Sequence, residues 1–140
     1  MTSLSDIVLG VVTDLNAATF TKSFTAASAF APQFELTDMA PVQVLVVPKA
    51  ETVDACDRIQ SQLEFSVDVG IQTRYATDSD LDVLIRFAES LGRFFVRKRL
   101  STVPSAAWVK TEHGNIYVPK HLTDLRVFTS IFTLTFRVIE

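Results

Sequence analysis

Apolar and polar residues alternate along the end of the chain, from Arg126 to Glu140. Phe128, Ser130, Phe132, Leu134, Phe136 and Val138 fall on one side at period two, and Thr129, Ile131, Thr133, Thr135 and Arg137 on the other. The pattern predicts one long strand whose even face lies on a core. Its Thr-rich odd face suits a surface that is solvated or meets a partner. A strand of this length needs ladder partners, which the earlier segments must supply.

At the other end, Leu4, Ile7, Val8, Val11, Val12 and Leu15 recur at helical spacing behind a capping box of Ser3 and Asp6, predicting an amphipathic helix from about Ser3 to Asn16. Phe20, Lys22 and Phe24 alternate, which predicts a short strand, followed by an irregular arm through Phe30, Pro32 and Phe34. Glu35 to Met39 reads as an acidic turn. The β-branched run Val42 to Val47, closed by Pro48, predicts a central strand. From Lys49 to Gln62 polar residues dominate, so an exposed connection is expected, with Val53, Cys56 and Ile59 marking at most a turn or two of helix. Val67, Val69, Ile71, Thr73 and Tyr75 then alternate with polar residues as a half-buried strand.

The longest predicted helix runs from about Asp78 to Arg99, with an apolar arc from Leu81 to Phe95 and with Arg86, Arg93 and Arg97 lined up opposite its middle. Ser101 to Pro104 breaks it. Ala106 to Lys110 and Asn115 to Val118 are strand-like pieces around the turn-prone Glu112, His113 and Gly114, as in a hairpin or a bent strand. The expected fold is a single α+β domain over residues 1–140, with a mixed or mainly antiparallel sheet on which an N-terminal helix and one long helix pack.

Composition narrows the function. The 140 residues are 48% hydrophobic with eleven Phe, enough for one real core. A formal net charge of −3 removes the broad basic footprint of a protein that grips nucleic acid by its phosphates. The single cysteine, Cys56, cannot form an intrachain disulfide, and Met1 to Leu15 lacks a basic n-region and carries Asp6 and Asp14. The expectation is therefore a cytosolic protein with neither signal peptide nor membrane span. Mean hydropathy of +0.27 fits a subunit that buries further surface in an assembly.

Candidate chemistry dissolves into ordinary roles. Asp78, Asp80, Asp82 and Glu89 match part of a calcium-loop spacing, but Val83 stands where the loop needs glycine. Thr77 or Asp78 as a helix cap explains the same residues. Asp82 with Arg86 and Glu89 with Arg93 are acid-then-base pairs four apart. The alternative use of the basic run Arg93, Arg97, Lys98 and Arg99 is salt bridging to a neighbouring subunit. His113 and His121 have no metal-ligand spacing, and Asp54 and Asp57 beside Cys56 argue against a nucleophile. No phosphate loop, nucleophile elbow or catalytic carboxylate pair can be assembled, so neither an enzyme nor a cofactor is expected.

Read in order, the segments FELTDMAPVQVLVVP at Phe34 to Pro48, FSVDVGIQTRY at Phe65 to Tyr75, AAWVKTEHGNIYVPKHL at Ala106 to Leu122 and RVFTSIFTLTFRV at Arg126 to Val138 resemble the tail terminator (tail completion) proteins of long-tailed bacteriophages. The resemblance spans nearly the whole chain. It implies an α+β subunit that closes into a ring, usually a hexamer, found in the virion tail or neck and in the host cytoplasm during assembly. The ring caps the head-proximal end of the tail tube, stops tube polymerisation and offers the surface that joins a DNA-filled head. Its implied partners are further copies of itself, the tail tube protein and a neck or connector protein. DNA would pass through the lumen without tight binding, which suits an acidic chain. Arg86, Arg93 and Arg97 are the candidate neighbour contacts, and Asp54, Asp57 and Arg58 the candidate loop facing tube or connector. A head-to-tail adaptor or stopper on the portal side is the nearest alternative. A small ligand-binding α+β domain, using Trp108, Tyr117 and His113, is the alternative from a different class.

Overall fold

A computed structural model of the chain describes residues 2–30, 42–75, 77–114, 116–119, 122 and 127–140. Seven elements follow one another: α1 (Leu4–Ala17), β1 (Phe24–Ser28), β2 (Val42–Ala55), β3 (Ser61–Arg74), α2 (Asp78–Phe94), β4 (Ala107–Glu112) and β5 (Val127–Ile139). The strands form one mixed sheet in the order β1-β2-β3-β5-β4, in which β1 runs parallel to β2 and every other pairing is antiparallel. The fold is α+β. Among the described residues no helix is long and apolar enough to cross a membrane.

The long alternating strand is β5, and it sits between β3 and β4. Its even residues from Phe128 to Val138 are all buried, matched across the ladder by Leu63, Phe65, Val67, Val69 and Ile71 of β3. Both helices cover this face, because Ile7, Val11 and Leu15 of α1 and Leu84, Phe87 and Leu91 of α2 join the same core cluster. Removing these side chains from water is the main term holding helix to sheet, at about 1.5–3 kcal/mol for each large one. Phe20 and Phe24 pack on Phe87, and Phe95 stands edge-on to Phe136, so aromatic contacts stitch the helix layer from both ends.

The helix ends follow their caps. Ser3 and Asp6 form the expected capping box at α1, and Thr77 with Asp80 forms one at α2. Asp78 and Asp80 lie in the first turn of α2, Asp82 pairs with Arg86 and Glu89 with Arg93, so all four calcium-spaced acids lie on a capped helix. Among the described residues no cluster of His, Cys, Asp or Glu could hold a metal.

Several boundaries differ from the sequence expectation. The helix expected to reach Arg99 ends at Phe94, where Arg97 takes a positive φ of 59° and turns the chain. The connection expected from Lys49 to Gln62 is instead mostly strand: β2 continues past Pro48 to Ala55 through an irregularity between Pro48 and Ala50, and β3 begins at Ser61. Phe20 and Lys22 precede the first strand rather than form it, and residues 116–118 are not a strand, although Val118 donates its amide to Thr129 O at 3.1 Å. The acidic turn at Glu35 to Met39, together with Arg126 and His121, lies outside the described residues.

Candidate assembly surfaces

The helices occupy one face of the sheet, so the opposite face carries the even residues of β3 and the odd residues of β5. Directly opposed residues bond across the ladder. Gln72 Nε2 donates to Thr129 Oγ1 at 2.9 Å, Thr133 Oγ1 to Asp68 Oδ1 at 2.6 Å and Arg137 Nη2 to Glu64 Oε1 at 2.9 Å, while the hydroxyls of Ser66 and Thr135 stand 3.3 Å apart. Lys49, from the irregular point of β2, lies 3.7 Å from Asp68 and donates to Thr133 at 3.3 Å. On β4, Lys110 and Glu112 pair at 2.9 Å, a hydrogen bond that raises the lysine pKa and lowers the carboxyl. The face is polar and its charges are paired. Thr129 and Thr135 nevertheless come out buried rather than solvated: Thr135 lies between β3 and β4, and Thr129 between β3 and the segment whose Val118 amide bonds its carbonyl.

The second surface is the outer half of the β2–β3 hairpin. β1 covers the free edge of β2 only from Val42 to Val46, and beyond that every residue from Lys49 to Gln60 is exposed. Val53 is 56% and Ile59 91% exposed there. The tip is well built. Asp57 Oδ1 accepts the amides of Ile59 and Gln60, each at 2.8 Å, while the Cys56 amide donates to Gln60 O at 3.0 Å. Asp57 therefore closes the turn, leaving Asp54 at the strand end and Arg58 at the tip as the outward charges of the predicted loop.

The three predicted arginines do not form one stripe. Arg86 and Arg93 lie on the solvent face of α2, each holding its acid partner at 3.1 Å. Exposed pairs of this kind add under about 1 kcal/mol each. Arg97 leaves the helix and sits in an exposed basic turn with Lys98 and Arg99. Lys98 Nζ lies 3.9 Å from the Phe94 ring centroid, and Arg99 Nη1 donates to Pro104 O at 3.1 Å.

A cleft of about 480 Å³ opens between α2 and β4, lined by Glu89, Arg93, Trp108, Thr111 and His113 among others. Trp108 Nε1 donates to Thr111 Oγ1 at 2.9 Å, and that hydroxyl donates to Gly92 O at 3.2 Å. His113 packs 4.9 Å from the Phe132 ring and has Nε2 within 3.3 Å of Ser130 Oγ; burial lowers its pKa, with Glu89 acting in the opposite sense. Trp108 and His113 are thus brought together as the ligand-binding alternative expects, while Tyr117 is 36% exposed and does not line the cleft. The open edge of β2 escaped sequence reasoning, and its only sequence signal was Thr52 and Val53 inside a polar run.

No protein-family model matches the chain, and no curated protein matches it in sequence.

Proposed function

We propose that this chain is the repeating subunit of a ring that caps the head-proximal end of a phage tail tube, ends tube growth and receives the DNA-filled head. The observation that carries the reading is the open outer half of the β2–β3 hairpin, exposed throughout from Lys49 to Gln60 and bearing Val53 and Ile59 in solvent. A free strand edge with apolar side chains is a surface that a lone domain must blunt and that an assembly uses. The resemblance of four ordered segments to tail terminators supplies the assembly, and the net charge of −3 supports DNA passing through without being gripped. Lys49, Lys110 and Arg137 on the open sheet face each stand against an acid, which supports the same point.

The test is light scattering of the purified chain across concentration and negative-stain imaging, followed by incubation with tail tubes. Closed rings that bind one end of the tube and copurify with tails support a terminator. Binding to DNA-filled heads instead selects the adaptor or stopper. A second reading draws on the cleft around Trp108 and His113. A monomer whose melting temperature rises with a small molecule, and falls back in a Trp108→Ala variant, selects it.

A further inference from the structure

The sheet register places one row of residues across the end of the molecule nearest the hairpin. Thr52 of β2 opposes Glu64 of β3, Glu64 opposes Arg137 of β5, Arg137 opposes Ala107 of β4, and Ala107 bridges to Arg99. The row spans about 19 Å, being four strand spacings of about 4.8 Å. Its two ends differ in charge. At one end Glu51 and Asp54, directed to opposite faces of the sheet, bracket Thr52 and Val53 on an exposed strand edge that no other strand pairs among the described residues beyond Val46. At the other end stands the exposed turn Arg97, Lys98 and Arg99, tied to β4 by the amide of Trp108, which donates to Lys98 O at 3.1 Å.

We infer that these two margins are the two halves of one contact between copies of this chain: the acidic β2 edge of one copy lies against the basic Arg97 to Arg99 turn of the next. Different patches on opposite margins make a heterologous contact, which repeats head to tail and stops only where the rotation closes. The occupant of the β2 edge is set by charge, because the same chain carries the matching cations on its far side. Arg97 lies beyond the end of α2 and makes no salt bridge among the described residues, whereas Arg86 and Arg93 each hold an acid within the helix. Exposed ion pairs add little affinity singly. They fix register and speed encounter, while the outward N–H and C=O groups of β2 and the side chain of Val53 supply the rest of the contact. This contact deepens the ring reading and rests on it.

Charge reversal tests the pairing. Glu51→Lys with Asp54→Lys makes both margins basic, and Arg97→Glu with Arg99→Glu makes both acidic. All four positions are exposed, so melting temperatures should stay near that of the wild type, with Arg99→Glu losing only its bond to Pro104 O. In low salt, the wild type should scatter at a multiple of 15.5 kDa, and each variant alone at one subunit mass. An equimolar mixture of the two should recover the assembled mass, because unlike margins again face each other. Added salt should lower the assembled mass of the wild type.

Variants that alone keep the wild-type mass, a mixture that stays monomeric, or a wild type that is monomeric at the highest soluble concentration overturns the inference. If the basic-turn variant fails to fold, the acidic-edge variant decides by itself. The ring reading is judged separately on tubes. Wild type that caps tubes while both variants associate unchanged keeps the terminator and sinks the edge contact. Charge-dependent assembly with no affinity for tube ends does the reverse.

Discussion

His113 illustrates how a single residue reads differently once its surroundings are fixed. In sequence it stands in a turn-prone triplet with no metal partner. In the fold it is half-buried against Phe132, and burial holds its pKa below the ordinary value of 6.5. The unfolded chain therefore binds a proton that the folded chain resists, so this contribution to stability is complete above pH 6.5 and is lost as the pH falls through the lowered folded value. Chemical denaturation at descending pH should show wild type losing stability faster than His113→Phe; equal slopes would remove the histidine from the account. Asn16 is a second case. Its carboxamide donates to Ala26 O at 3.1 Å and accepts the Ala26 amide at 2.7 Å, closing the outer side of β1. Asn16→Ala should cost about 1–3 kcal/mol by leaving both groups without protein partners, read from urea unfolding.

At the scale of elements, β5 was legible because period two survives wherever one face is buried. Six consecutive even positions are buried, including Phe132 at 1% exposure. Phe132→Ala should cost about 3–5 kcal/mol, partly through the cavity left between sheet and helix layers, and calorimetry would detect it as a large fall in melting temperature. A soluble variant with unchanged melting would reverse the assignment of the strand's faces. α1 was equally legible from its stripe and capping box, but the role of Gly10 was not. A Cβ built there would lie 2.9 Å from Thr102 Oγ1 and 3.0 Å from Leu100 Cδ1, so the glycine admits a segment that is distant in sequence. Asp14 continues this contact by accepting the Ser101 amide at 3.1 Å. A glycine in a helix interior would ordinarily be improved by substitution. Gly10→Val should instead lower the melting temperature by forcing the turn at Leu100 off the helix.

The outer half of the β2–β3 hairpin differs from the sequence expectation for a definite reason, whereas its inner strands at Val42 to Val47 and from Val67 onward agree with it. The outer stretch of β2 from Lys49 to Ala55 is exposed on both faces, so it leaves no alternation to detect, and among the described residues this stretch pairs with β3 alone. Propensity cannot signal a strand whose only partner lies across a turn. Likewise α2 ends at Phe94 because Arg97 adopts a left-handed turn that lets Leu100 reach the core, a tertiary demand that the local run of helix formers opposes.

For the whole molecule, both helices lie on one face, the opposite face is polar, and among the described residues no strand pairs with β2 beyond Val46 on its outer side, which is the asymmetry on which the proposed assembly rests. Ile59 at the hairpin tip tests that view. Its side chain touches mainly solvent, so Ile59→Asp should change folding stability by no more than about 0.5 kcal/mol. A lower assembled mass in light scattering would place the tip in a contact, and an unchanged mass would confine self-association to the strand edge.

By itself, the sequence determined the class of fold, the two capped helices, the buried face of β5 and the acid–base pairs along α2. These depend on periodicity and on neighbours within a few residues, which are written directly in the order of side chains. Tertiary structure alone decided that β2 runs on past Pro48, that Trp108 and His113 share a cleft, and that acidic and basic margins lie at opposite ends of one row. Those depend on strand order and register, which bring together residues separated by tens of positions, and local pattern carries no record of which strand will lie beside which.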